Sequence, residues 1–191
     1  MSVEQLVLLP EDEAIPRLVD RLGDEGWRVR KAAVEGLVSS RGDASVQEHL
    51  IRALADGDNP GRRNSAFEAL VACGARVTER LVRELESDDA DVRKLVIDAL
   101  AAIGDAAARA GLVEAVRDAD PNVRGAAAEA LGVIGGRQEM PRLVDTAIEP
   151  DEEILVRLSA LRALAHMEAE VSLSDLRGSL EEPLLRPAAL A

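Results

Sequence analysis

The sequence predicts an all-α fold of about five stacked helix pairs followed by a partial sixth pair. Amphipathic segments with one pattern recur at intervals of 30 to 33 residues along the 191-residue chain. Aromatic residues make up only 1% of the composition, although 47% of the residues are hydrophobic. Leu, Val, Ile and Ala must therefore fill the interior, and small aliphatic side chains suit thin layers of closely packed helices.

The longer helix of each predicted pair begins near an arginine that is followed by apolar residues at fixed distances. An Ala or Val comes three residues after each arginine and a Leu comes seven residues after it, which places both on one helix face. The segments are "VRKAAVEGL" from Val29, "RRNSAFEAL" from Arg62, "VRKLVIDAL" from Val92, "VRGAAAEAL" from Val123 and "VRLSALRAL" from Val156.

Glycines predict where four of these helices end. Glycine just past a helix can adopt the left-handed conformation that stops it. The fifth copy has Glu168 in that place, so the sequence leaves its end undefined. The four residues are Gly42, Gly74, Gly104 and Gly135.

A shorter helix with apolar residues at i, i+1 and i+4 precedes each arginine. Acidic turns such as "DGDNP" and "DADPN" separate the two helices. One pair cannot bury both of its apolar faces, so successive pairs must stack into a single array over residues 1–191. The predicted units cover about residues 12–42, 45–74, 77–104, 106–135 and 138–168, with a partial unit at 174–191.

The phrase D-x-x-V-R-x-x-A-x-x-A-L-x-x-I-G, as in Asp120 to Gly135, resembles HEAT repeats. It is most similar to the short bacterial HEAT-like repeats described in phycobilisome lyases. The resemblance covers about residues 12 to 168 and implies a right-handed α-α superhelix, a HEAT-like solenoid, in a bacterial protein. It is specific for the architecture and says little about activity.

The resemblance also implies roles for two sets of residues. In HEAT-like repeats the arginine bonds an acidic residue of a neighbouring unit, which makes a structural ladder of Arg30, Arg63, Arg93, Arg124 and Arg157. A row of anion or phosphate sites is the alternative. The second helix lines the concave groove, so a partner-binding face is expected at Lys31, Glu35, Asn64, Glu68, Lys94, Asp98, Glu129 and Arg162. A plain solvated helix face is the alternative.

Composition and missing motifs argue against several classes of function. A net charge of −13 disfavours nucleic acid and anionic membranes as partners. One cysteine and two histidines cannot build a structural zinc site, and no Gly-rich phosphate loop or nucleophile elbow is present. We therefore predict no catalytic residues, no metal site and no cofactor. The single cysteine and the absence of a signal-peptide pattern favour the cytoplasm.

These observations favour a non-catalytic scaffold or adaptor that binds another protein, one with a basic helix or tail, in its groove. The resemblance alone offers an alternative, a lyase-like accessory factor for bilin attachment. Nucleic-acid binding is a weaker third hypothesis.

Individual residues and both chain ends give further expectations. Phe67 and Cys73 match apolar positions of other copies, so both are expected in the core. Trp27 is expected to pack against the N-terminal segment, with an exposed binding anchor as the alternative. The segment "VEQLVLL" is expected to cover the first helix pair. The last half-unit favours a fragment of a longer array over a cap.

Overall fold

The computed structural model describes residues 1–40, 44–172 and 174–190. These residues form α-helices, short 3₁₀ segments and turns, with no strand among them, so the predicted all-α fold is confirmed. The chain divides into two compact units, Met1–Leu81 and Val82–Ala191. The continuous array over residues 1–191 stays a prediction.

Unit 1 contains two helix pairs. In each pair a shorter helix packs on a longer one, α2 on α3 and α4 on α5, and the two longer helices also pack on each other. The short α1 packs on both α2 and α3, as expected for a covering segment. The helices are α1 Val3–Leu6, α2 Glu11–Arg21, α3 Trp27–Ser39, α4 Ala44–Leu54 and α5 Pro60–Cys73, followed by a 3₁₀ segment at Gly74–Val77.

Helix α6, Thr78–Glu84, contains the boundary between the units. In unit 2 the longer helices form a row in which α7 packs on α9, α9 on α11 and α11 on α13, while α8 and α10 pack on α9 and α11. The helices are α7 Ala90–Ile103, α8 Arg109–Ala115, α9 Pro121–Ile134, α10 Met140–Ile148, α11 Ile154–His166, α12 Arg177–Glu181 and α13 Arg186–Ala189, with a 3₁₀ segment at Ala106–Ala108.

The core of each unit is the apolar stripe of the longer helices. The residues three positions after the repeated arginines are 0% exposed, namely Ala33, Ala66, Val96, Ala127 and Ala160. Small residues let these helices approach closely. At Gly132 an added Cβ would lie 2.7 Å from the Cα of Ala163, so α9 and α11 require glycine at this contact. Cys73 is buried as expected, whereas Phe67 is only half-buried.

Helix ends follow the expected chemistry in part. Gly104 ends its helix in the left-handed conformation, with φ of 73° and ψ of 17°. Gly74 also has a positive φ of 63°, but its ψ of −147° lies outside the left-handed helical region. Gly135 has φ of −70°, so the left-handed end predicted there is wrong; extended backbone ends that helix. Glu168 instead takes φ of 50°. Its N–H donates to the carbonyl of Ala165, and the N–H of Ala169 donates to Leu164, the bond pattern of a Schellman motif. Gly42 lies outside the described residues.

The partial sixth unit continues the row of longer helices. Helix α13 packs on α11, the place that a second helix would take. Arg186 at its start donates from Nε to the carbonyl of Leu180, six residues earlier, at 2.7 Å. Among the described residues, no helix has the length and apolar character needed to cross a membrane.

Candidate functional site

All five repeated arginines donate to backbone carbonyls of the turn or helix end that precedes their own helix. Such bonds satisfy carbonyls that a helix end leaves without partners. The acceptors are Asp24 and Glu25 for Arg30 (2.8 and 3.0 Å), Asp56 for Arg63 (3.3 Å), Ser87 for Arg93 (2.8 Å), Asp118 and Ala119 for Arg124 (2.8 and 3.0 Å) and Ala147 for Arg157 (3.0 Å).

Two of the arginines also pair with an acid of the next predicted unit. Arg93 binds Asp118 through Nε and Nη2 at 2.7 and 2.6 Å, and Arg124 binds Glu152 at 2.8 and 2.6 Å. The Arg93 hydrogen bond outweighs burial and lowers the pKa of Asp118. Burial alone would raise the pKa of Glu152, but the Arg124 hydrogen bond and charge, with the Glu153 N–H, bring it below its ordinary value. These two-point pairs join successive layers of unit 2.

Arg30, Arg63 and Arg157 form no ion pair among the described residues, so the acidic partners expected for them are not present there. Asp56 lies 3.2 Å from Arg62 instead. Arg157 is only 8% exposed and also donates to the carbonyl of Gly178 at 3.4 Å. These internal bonds leave the guanidinium groups little capacity for an external anion.

A groove of about 380 Å³ lies in unit 2 between the N-terminal halves of α7, α9 and α11. A Cβ added at Gly125 would make only ordinary contacts, with Ser159 Oγ at 3.6 Å and a methyl group of Val156 at 4.0 Å, so the groove has room for a side chain there. Leu155 is 72% exposed at its edge. The lining includes Lys94, Asp98, Pro121, Asn122, Gly125, Ala126, Glu129, Glu153, Leu155, Val156 and Ser159.

The charged groups of this groove are only partly neutralised. Lys94 Nζ lies 2.9 Å from Asp98 Oδ2. Ser159 Oγ donates to Glu129 at 2.8 Å, which orients that carboxylate and leaves its charge in place. Glu153 is exposed. The groove therefore combines an apolar surface with a net negative charge, which suits binding of a basic, partly apolar segment.

The residues predicted for this face in unit 1 are exposed, namely Lys31, Glu35, Asn64 and Glu68, and so is Arg162 on α11 in unit 2. Within the described part of the chain, Lys31 and Glu35 form no ion pair, unlike Lys94 and Asp98. Lys31, Asn64 and Glu68 line a smaller cavity of about 250 Å³ together with Trp27. Trp27 is 60% exposed, so its expected packing against the N-terminal segment is wrong.

Sequence patterns missed several of these residues. Asp89 and Asp120 precede the arginines in the turns, but they cap α7 and α9, whereas Asp118 and Glu152 pair with the arginines. Leu155 falls outside the repeated stripe, and an exposed leucine has no distinct sequence signal. No group of His, Cys, Asp or Glu that could hold a metal occurs among the described residues. Burial raises the pKa of the Cys73 thiol, which disfavours its nucleophilic thiolate.

Comparisons with known proteins agree with this architecture. A family model for HEAT repeats matches residues 1–71 and 78–165. A chain from the complex of CpcE and CpcF of phycocyanin lyase from Nostoc sp. PCC7120 is 25% identical, with a TM-score of 0.65 over 78% of this chain and 98% of that chain.

Two further solved structures are similar in fold. A chain from a study of microtubule plus-end tracking by XMAP215, CLIP-170 and EB1 is 17% identical, with a TM-score of 0.56 over 100% of this chain and 91% of the other. An engineered protein is 20% identical, with a TM-score of 0.51 over 98% of this chain and 61% of the other. No curated protein matches the sequence significantly.

Proposed function

Because the chain belongs to the HEAT-repeat family, we propose that it is a non-catalytic scaffold that binds another protein on the face formed by its longer helices. The proposed face contains Lys31, Glu35, Asn64, Glu68, Lys94, Asp98, Glu129 and Arg162, and we place the protein in the cytoplasm. Of the five repeated arginines, Arg93 and Arg124 serve as the structural ladder between layers of unit 2, and the other three bind backbone carbonyls.

The groove of unit 2 is the observation that carries this proposal. It offers the exposed Leu155 beside three carboxylates, those of Asp98, Glu129 and Glu153. Among the lining residues, Lys94 is the one cation, and it pairs with Asp98. A basic helix or tail with aliphatic residues complements both features. Its charges would speed and orient docking, and burial of Leu155 would add hydrophobic free energy.

Affinity purification from the source cells, with matched variants as bait, tests the proposal. Gly125→Leu fills the groove without changing charge, and Glu129→Lys reverses charge without filling it. Both should reduce recovery of the main co-purifying protein about tenfold or more. Glu114→Lys on α8 makes the same charge change at an exposed residue outside the groove and should bind normally. Undiminished recovery by both groove variants would refute the proposal.

A second candidate function follows from the similarity to the phycocyanin lyase complex. A lyase-like accessory factor would handle a bilin as its substrate, together with a second subunit. The histidines offer little for such a pigment, since His49 already contacts the carbonyl of Ser45 at 2.7 Å and His166 is exposed. Titration with free bilin distinguishes the two functions: a saturable change in bilin absorbance would favour the accessory factor, and an unchanged spectrum would favour the scaffold.

A further inference from the structure

We propose that the Trp27 cavity of unit 1 is a second docking site, which takes an acidic segment of a protein with an apolar side chain beside a carboxylate. Its charge is opposite to that of the unit 2 groove. The inference rests on the helix face of the proposed function, with which it shares Lys31, Asn64 and Glu68, but it uses no residue of the unit 2 groove. Failure at the unit 2 groove therefore leaves it standing.

Trp27 supplies the apolar part of this site. It is 60% exposed at the first position of α3, although burial of an indole normally removes a large apolar area from water. The guanidinium carbon of Arg28 lies over the Trp27 ring, 5.6 Å from its centroid. This distance is typical of a cation–π interaction, so Arg28 covers one face of the ring. The cavity is lined by Trp27, Arg30, Lys31, Gly61, Asn64, Ser65 and Glu68. Tryptophan is over-represented among the residues that contribute most to binding at protein interfaces.

The charges at this site favour an anionic occupant. Arg30 and Lys31 line the cavity, whereas Glu68 is the acid among its lining residues. Arg30 already donates to the carbonyls of Asp24 and Glu25, so it adds positive charge while Lys31 is the cation that can contact a carboxylate. Lys31 is exposed and makes no ion pair within the described residues. The first turn of α3 adds positive potential, because its N-cap is Gly26 with no side-chain cap. A locally basic cavity contrasts with the net charge of −13 for the whole chain.

The same net charge selects among anionic partners. A nucleic acid or an anionic membrane carries negative charge over a large area and would be repelled by the rest of the surface. A protein segment can place one or two carboxylates at Lys31 and an aliphatic side chain on Trp27. Asn64 can bind backbone groups of an extended chain, since its side chain is exposed at the cavity.

Fluorescence gives a direct test, because Trp27 is the only tryptophan and the chain has no tyrosine. The probe is a short capped peptide of alternating aspartate and leucine. We expect a saturable blue shift of the Trp27 emission. Peptides of alternating lysine and leucine, or of aspartate and serine, should cause a smaller change at the same concentration. Equal responses to all three peptides would overturn the proposal.

Variants locate the binding site. Lys31→Glu should weaken the aspartate–leucine peptide about tenfold, and Lys31→Gln should weaken it less. Arg117→Glu makes the same kind of charge reversal at a residue of unit 2 that is 63% exposed and lies outside the proposed face, and it should bind like the wild type. Circular dichroism checks that each variant is folded. Wild-type affinity in both Lys31 variants would overturn the site. The occupant is tested with oligothymidylate and with phosphatidylserine vesicles. If either of these changed the Trp27 emission while the peptide did not, the proposed occupant would be overturned.

Discussion

Replacing Arg124 by methionine tests whether the arginine ladder holds the layers of unit 2 together. The guanidinium binds Glu152 at 2.6 and 2.8 Å, and the side chains are only 17% and 12% exposed. Removal of one partner from a fully buried pair costs about 3–5 kcal/mol. Since some water reaches both groups, we expect a loss of about 2–3 kcal/mol in the free energy of unfolding. Part of that loss comes from the carbonyls of Asp118 and Ala119, which also lose their donor.

A double-mutant cycle separates the pair from those carbonyl bonds. Arg124→Met and Glu152→Gln, alone and together, should give a coupling energy of about 1–2 kcal/mol in urea denaturation followed by circular dichroism. The control pair, Arg17 and Glu13, lies at 3.8 Å with side chains 52% and 55% exposed, so its coupling should stay below about 0.5 kcal/mol. Equal coupling in the two cycles would refute the structural role of the ladder.

Three further predictions concern stability. In the folded protein the pKa of Glu152 lies below its ordinary value of 4.5. The stabilisation from the Arg124–Glu152 pair is therefore complete above pH 4.5 and is lost as pH falls through the folded-state pKa. Urea denaturation at decreasing pH should show the free energies of unfolding of the wild type and Glu152→Gln converging. Leu131→Ala should cost about 2–5 kcal/mol because Leu131 is 0% exposed, whereas Leu184→Ala should cost under about 0.5 kcal/mol because Leu184 is 70% exposed; equal losses would contradict the packing. Glu168 has φ of 50°, a conformation that glycine adopts without strain, so Glu168→Gly should raise the free energy of unfolding by about 0.5–1 kcal/mol in the same assay. The control is Glu170→Gly. An equal change in the two variants would count against backbone strain at Glu168.

Sequence periodicity predicts the helix pairs because the pattern that repeats is the pattern that is buried. The residues three and seven positions after each arginine are at most 4% exposed, from Ala33 and Leu37 to Ala160 and Leu164. Helix ends are harder to predict, because a favourable pair of hydrogen bonds can stabilise the left-handed conformation at a residue other than glycine. Glu168 meets that condition without being glycine, and Gly135 does not adopt the conformation that glycine permits.

The candidate sites depend on contacts that no single copy of the repeat contains. Asp118 and Glu152 lie 25 and 28 residues from the arginines they bind, and the turns that hold them differ in length and composition. Gly125 lines the unit 2 groove at the position where Lys31 and Lys94 occur in other copies, so no side chain fills that part of the groove. A deviation from the repeat at an exposed position is therefore the best sequence signal for such a cavity.

Amide chemical-shift mapping of the labelled chain tests the docking face most directly. The probe is a short amphipathic peptide of lysine and leucine. We predict that the largest shifts fall on the groove residues Gly125, Ala126 and Ser159, and that Gly125→Leu abolishes them. Shifts centred on α8 and α10, or spread evenly over the acidic surface, would contradict a docking face on the longer helices.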